Sequence, residues 1–145
     1  MRVTLAVAIA ASLAVGCGSA ASAPGAPSGG GTSLTISYWP AGNDERSTTD
    51  TSRKWTLRCD PAGGTHPNEA DACRKLKALK QPFKRPQRGL MCTEQYGGPQ
   101  EGTVRGTYLG TPVFASFSLV DGCQISRFKR VAFLFPGFRV GSLDS

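Results

Sequence analysis

Paired cysteines of the metal or redox kind are missing from this chain: it has five cysteines, but no two stand as Cys-x-x-Cys. Zinc sites and thioredoxin-like centres use that spacing, so both readings lose their main support. Histidine is scarcer still. The single His66 lies in the turn-forming run Gly63-Gly64-Thr65-His66-Pro67 with no nucleophile at suggestive spacing, so a structural, locally hydrogen-bonded role is expected. Asp60, just before Pro61, reads likewise as a turn former rather than a catalytic acid. With neither a nucleophile–base pair nor a ligand cluster, the sequence suggests no enzyme, no cofactor and no metal.

Acidic residues are also few, 10 against 17 Lys and Arg, for a net charge of +7. Such a balance bears on solubility and attraction to anions, not on fold. Arg74, Lys75, Lys77, Lys80, Lys84, Arg85 and Arg88 form a basic run, but no aromatic platform interleaves it, which argues against nucleic acid. A solvated helix face and loop is the expected role. Attraction to anionic lipid or cell-wall polymer comes next.

Long apolar runs are absent except at the start, where Met1-Arg2 precedes Val3 to Val15. That run is too short to span a bilayer and fits a secretory leader. Leu13-Ala14-Val15-Gly16-Cys17 resembles a bacterial lipobox, with Ala14 where Leu is usual; it would make Cys17 a lipidated N-terminus. The competing cut, after Ala21-Ser22-Ala23, is disfavoured by Pro24. Either way Cys17 leaves the pairing pool. Cys59, Cys73, Cys92 and Cys123 remain for disulfides in an oxidising compartment, and spacing leaves all three connectivities open.

From Gly18 to Ser33 the chain is Ala, Ser, Gly and Pro, a flexible tether. The expected organisation is a lipoprotein-type leader over 1–16, a tether over 17–33, one domain over 34–136 and a tail over 137–145. The location expected is extracellular or in the cell envelope, with a membrane reached only through the anchor at Cys17.

Within the domain, Leu34–Trp39 and Trp55–Cys59 alternate apolar and polar and predict strands. Asn68 is placed to cap a helix running to about Leu79, with Glu69 and Asp71 in its first turn and a core stripe of Ala70, Cys73 and Leu76, flanked by Ala72 and Leu79. Thr103–Tyr108 and Pro112–Phe117 flank a tight turn at Leu109-Gly110, a hairpin signal. Phe128–Phe135, apolar at Phe128, Val131, Phe133 and Phe135, predicts a last strand. Five strands and one clear helix make an α+β domain on an antiparallel sheet. Trp39 and Trp55 are expected in the core or at an interface.

Several motifs in register resemble the bacterial subtilisin inhibitor-like family. They are Leu57-x-Cys59-Asp60-Pro61-x-Gly63-Gly64-Thr65-His66-Pro67 with Ala72-Cys73, Met91-Cys92-Thr93-x-x-Tyr96 with Gly98-Pro99, and Gly122-Cys123-x-Ile125-Ser126-Arg127. The resemblance runs from about Leu34 to Phe135. It implies a five-stranded antiparallel sheet with one or two helices on one face, disulfides Cys59–Cys73 and Cys92–Cys123, and a homodimer through the sheet. It also implies a serine protease as partner, offered the loop after Cys92 as a substrate is. By that match the reactive bond joins Glu94 to Gln95, with Met91, Cys92, Thr93 and Tyr96 touching the protease. Relatives commonly carry Met, Lys or another apolar or basic residue where Glu94 stands. Smaller departures are Gln124 and Phe128, where relatives often have Glu and Trp. The rival reading is a non-inhibitory, envelope-binding lipoprotein domain that uses its basic surface.

Overall fold

The structure, a computed structural model, describes residues 30–43 and 51–139. The expected leader, Cys17 and most of the tether lie outside the described residues, as does most of the expected tail. Five strands form one sheet: β1 (Thr32–Trp39), β2 (Arg53–Cys59), β3 (Gly63–Gly64), β4 (Glu101–Tyr108) and β5 (Thr111–Phe117). Their order is β3-β2-β1-β4-β5, and every neighbouring pair is antiparallel. Two helices, α1 (Glu69–Ala78) and α2 (Gly122–Arg130), complete it with a 3-10 turn at Ala132–Leu134.

Period-two alternation does what the sequence promises. Leu34, Ile36 and Tyr38 of β1, Leu57 and Cys59 of β2, Val104 of β4, and Ala115 and Phe117 of β5 all face one core. Their outward neighbours Thr35, Arg58, Arg105 and Phe114 are exposed. Both helices pack on the inner face. α1 contributes Ala72, Cys73 and Leu76; α2 contributes Ile125 and Phe128. Ala70, expected in the stripe, is exposed instead: Ala72 and Cys73 are adjacent, and their pairing with Leu76 turns the buried arc one residue onward. Fully burying a Leu or Phe side chain stabilises a fold by about 1.5–3 kcal/mol, so this single cluster dominates stability.

Two expectations change. Phe128–Phe135 is not a strand: Phe128 lies in α2, and the chain then tightens into the 3-10 turn. Phe128 and Phe135 meet edge-on, centroids 5.0 Å apart, where the end of α2 and the 3-10 turn fold back on each other rather than across a sheet. The fifth strand is the two-residue β3, whose Gly63 and Gly64 pair with Arg58 and Leu57. The sheet therefore takes its fifth strand, an edge, from the turn between β2 and α1 and is complete without the last segment. Likewise the domain starts before Leu34. Thr32, assigned to the tether, is buried in β1 and accepts a hydrogen bond on Oγ1 from Leu109 N–H at 3.2 Å.

Packing also continues past Pro136, for Phe138 stacks on Phe128 with centroids 4.2 Å apart. Gly102 makes room for this aromatic group, since a Cβ there would lie 2.5 Å from Phe135. The Leu109-Gly110 turn has positive φ at both positions (49° and 79°), as a tight two-residue hairpin of type I′ requires. Among the described residues no helix is long and apolar enough to cross a membrane.

Candidate functional site

The four cysteines pair as Cys59–Cys73 and Cys92–Cys123, with Cα atoms 5.7 and 5.4 Å apart. The first joins β2 to α1 within the core. The second holds an exposed segment to the start of α2. A possible metal group of Cys92, Asp121 and Cys123 dissolves on this chemistry, because its two sulfurs are bonded to each other and offer no thiolates.

The segment from Leu90 to Tyr96 has almost no cover. Met91 is 97% exposed, and Thr93, Glu94, Gln95 and Tyr96 are all exposed. Its apolar side chains thus stand in water without a packing role. Yet its backbone is held on both sides. Upstream, the disulfide fixes Cys92, and the Thr93 carbonyl accepts from Gly122 N–H at 3.0 Å. Downstream, Gly97 N–H donates to the Leu119 carbonyl at 2.8 Å, and the chain then enters β4. Between these anchors Gln95 N–H donates to the Thr93 carbonyl at 2.8 Å, a three-residue γ-turn with Glu94 at its centre.

Helix α2 supplies the platform. Asp121 caps it, its Oδ1 accepting from Gln124 N–H at 2.8 Å. The N–H of Gly122 is one of the first-turn donors that a helix cannot satisfy internally, and the loop carbonyl of Thr93 satisfies it. Helix and loop each complete the other's hydrogen bonding. A Cβ on Gly122 would collide with Thr93 Oγ1, so glycine lets the loop lie against the helix. Gly97 is similarly tight, with Ile125 Cδ1 3.1 Å and Leu119 Cβ 3.2 Å from where a Cβ would stand.

Arg127 braces the other strand of approach. Its Nε donates to the Lys84 carbonyl at 2.9 Å, another of its nitrogens donates to the Ser116 carbonyl, and the guanidinium lies 4.3 Å from the Phe117 ring centre. It thereby ties α2 and β5 to the segment that leads into the loop. Burial lowers the Arg127 pKa from its ordinary value, and the positive charge of Arg85 adds to the effect.

The sequence reading thus places Met91 to Tyr96 on one exposed strip, held by the disulfide it expected. It gives no place to Leu119 or Asp121, and it takes Gly122 and Arg127 only as parts of a family motif, without their anchoring and bracing roles. The readable signal was Asp121-x-x-Gln124, a capping-box pattern that announces a helix. His66 and Asp60 lie elsewhere. His66 is buried, its Nδ1 accepting from Asn68 N–H at 3.2 Å, and Asp60 occupies a turn with φ 68°, its carboxylate 2.7 Å from Lys77 Nζ. Both are turn residues.

A small inhibitor-like domain with a stapled, uncovered loop is the class these features define. The chain belongs to the subtilisin inhibitor-like family, whose profile matches residues 31–118. It is 30% identical over 96 residues to protease inhibitor SIL-V5 of Streptomyces luteoverticillatus, across 63% of this chain and 88% of that protein. It also resembles a chain from the crystal structure of Streptomyces caespitosus sermetstatin in complex with Bacillus licheniformis subtilisin. That match has 26% identity and a TM-score of 0.48, and it covers 74% of this chain and 99% of the other. Membership of this family makes the chain a protease-inhibitor homologue and not an enzyme.

Proposed function

We propose that the protein is a secreted or lipid-anchored inhibitor of serine proteases that presents Met91 to Tyr96 as a substrate-like loop, with Glu94–Gln95 as the reactive bond. The observation that carries this reading is the combination of exposed side chains with backbone anchorage on both sides of that bond. Family membership and the inhibitor relative support it. A free peptide must be ordered on binding, which costs about 0.5–1.5 kcal/mol per immobilised side chain. A loop already fixed at Cys92, Thr93 and Gly97 avoids much of that cost.

Cleavage would not release the ends. The Glu94 side stays tied through Cys92–Cys123, and the Gln95 side stays tied through Gly97 and β4. The new amine remains beside the new carbonyl, so resealing competes with departure. The interface would be of the ordinary size for such pairs, about 1,600 Å² in total. Extracellular or envelope location follows from the leader, with Cys17 as the anchor, and a homodimer would use the outer sheet face that carries exposed Phe114.

Glu94 sets the choice of enzyme. An apolar specificity pocket would have to bury its unpaired carboxylate, at a cost of several kcal/mol. A penalty of about 3 kcal/mol weakens binding roughly a hundredfold. The preferred target therefore carries a basic group in its pocket and favours acidic residues. The test compares inhibition constants of the natural protein and Glu94→Met against subtilisin and a glutamate-specific serine protease, with mass mapping of any cut. Glu94→Met is expected to gain on subtilisin and lose on the glutamate-specific enzyme, each by roughly a hundredfold. Equal potency of both proteins on both enzymes, or a cut at another bond, would overturn the assignment.

A further inference from the structure

A groove of about 680 Å³ adjoins the loop, and its lining joins Lys84, Arg85, Arg127 and Arg130 to the loop residues Met91 and Thr93. No carboxylate lines it. Among the described residues, none of these four cations takes part in an ion pair; the pairs present involve Arg74, Lys75 and Lys77. Arg127 and Arg130 donate to the neutral carbonyls of Lys84, Ser116 and Lys80, which leaves their charge uncompensated. Lys84 and Arg85 are exposed.

Solvated surface cations are ordinary. These differ in position, because the hollow they line is continuous with the strip that a protease would grip. An enzyme closing on Met91 and Thr93 must bring the rim of its cleft over the groove.

We propose that this basic groove extends the protease-binding surface and that the target enzyme fills it with a carboxylate-bearing segment at the rim of its cleft. The inference rests on the reactive-loop reading above and adds the chemistry of the partner's rim. Continuity with the loop favours a protein occupant over a free polyanion, which would need no such neighbour. A rim contact of this kind acts chiefly on the rate of encounter, is screened by salt, and leaves dissociation nearly unchanged.

The test measures association by stopped flow between a glutamate-specific serine protease and either the natural protein or the double variant Lys84→Glu/Arg85→Glu, at low and high sodium chloride. The double variant should associate at least about tenfold more slowly at low salt, with the difference vanishing at high salt. Melting temperatures check folding, and Lys84→Gln/Arg85→Gln, expected to show a smaller effect of the same sign, replaces the double variant should it melt early. Equal rates at both salts, with inhibition intact, would overturn the rim contact and leave the loop reading standing. No inhibition by the natural protein of any serine protease in a panel would instead overturn the loop reading, and this inference with it. A third arm titrates sodium tripolyphosphate into both proteins by calorimetry. Tripolyphosphate binding that the charge reversal abolishes, together with unchanged protease association, would assign the groove to an anionic polymer and overturn the proposal.

Discussion

The two disulfides share one chemistry but sit in opposite surroundings. Cys59 and Cys73 are 5% and 6% exposed and belong to the core where β2 meets α1. Cys92 and Cys123 join an uncovered strip to the first turn of α2, outside the core cluster. Closing loops of 14 and 31 residues gives about 3 and 4 kcal/mol on the chain-entropy estimate, so stability alone does not separate them. Location does. One bridge adds to packing that already fixes its neighbours, whereas the other orders a strip whose side chains are mostly exposed.

Removing each bridge in turn is the strongest way to break this comparison. Cys92→Ser/Cys123→Ser should lose inhibition by roughly a hundredfold, the ordering cost of a few freed side chains, and should be digested at the loop. Cys59→Ala/Cys73→Ala should lower the melting temperature while keeping its inhibition constant within about twofold below that temperature, since mutations at distant, independent sites act separately. Inhibition constants and melting curves on both variants check this. Equal loss of inhibition from either pair would remove the distinction.

The core half of this comparison was far more legible in the sequence than the loop's support. Alternation at Leu34–Trp39 and Trp55–Cys59 found β1 and β2, and the Leu109-Gly110 turn found the β4–β5 hairpin. The segment after Gly122 misled because aromatic residues at Phe133 and Phe135 mimic strand alternation. Ile125, Phe128 and Val131 in fact recur every three residues behind the Asp121 cap, and all three are buried. Two-residue β3 was illegible for a different reason. Gly63 and Gly64 have no side chains to alternate, and only pairing with Arg58 and Leu57 makes them a strand. The strip from Met91 to Tyr96 was legible as exposed polar loop beside Gly and Pro. Its backbone anchors, the Leu119 carbonyl and the Gly122 N–H, were not, because hydrogen bonds to distant backbone groups leave no mark on residue type.

A subtler variant sharpens the contrast by moving the loop without cutting its staple. Gly122→Ala would drive a methyl into Thr93 Oγ1 and stress the Thr93 carbonyl bond to residue 122. Overpacking of this sort costs about 1–3 kcal/mol, so inhibition should weaken roughly tenfold. Thr93→Ala removes the colliding hydroxyl. Adding Gly122→Ala to a Thr93→Ala background should therefore cost much less than adding it to the natural protein. Inhibition constants around this four-protein cycle measure the coupling, and strict additivity would show that the glycine has no such role.

The smallest effect belongs wholly to the core half and should leave the loop untouched. His66 is buried, and burial lowers its pKa from the ordinary 6.5; the backbone of Phe133, Leu134 and Asn68 and the charge of Glu69 offset this in part. The folded state then binds the proton less readily than the unfolded chain. Stability from the neutral ring is complete above 6.5 and is lost as pH falls through the lowered folded pKa. Urea unfolding of the natural protein and of His66→Gln, followed between about pH 7.5 and pH 5, isolates this term. The natural protein should lose more stability over that interval than the variant. Inhibition measured on the folded protein should change equally in both, because His66 takes no part in the strip or its anchors. A pH dependence of inhibition that disappears with His66→Gln would join the two regions that the disulfides keep apart.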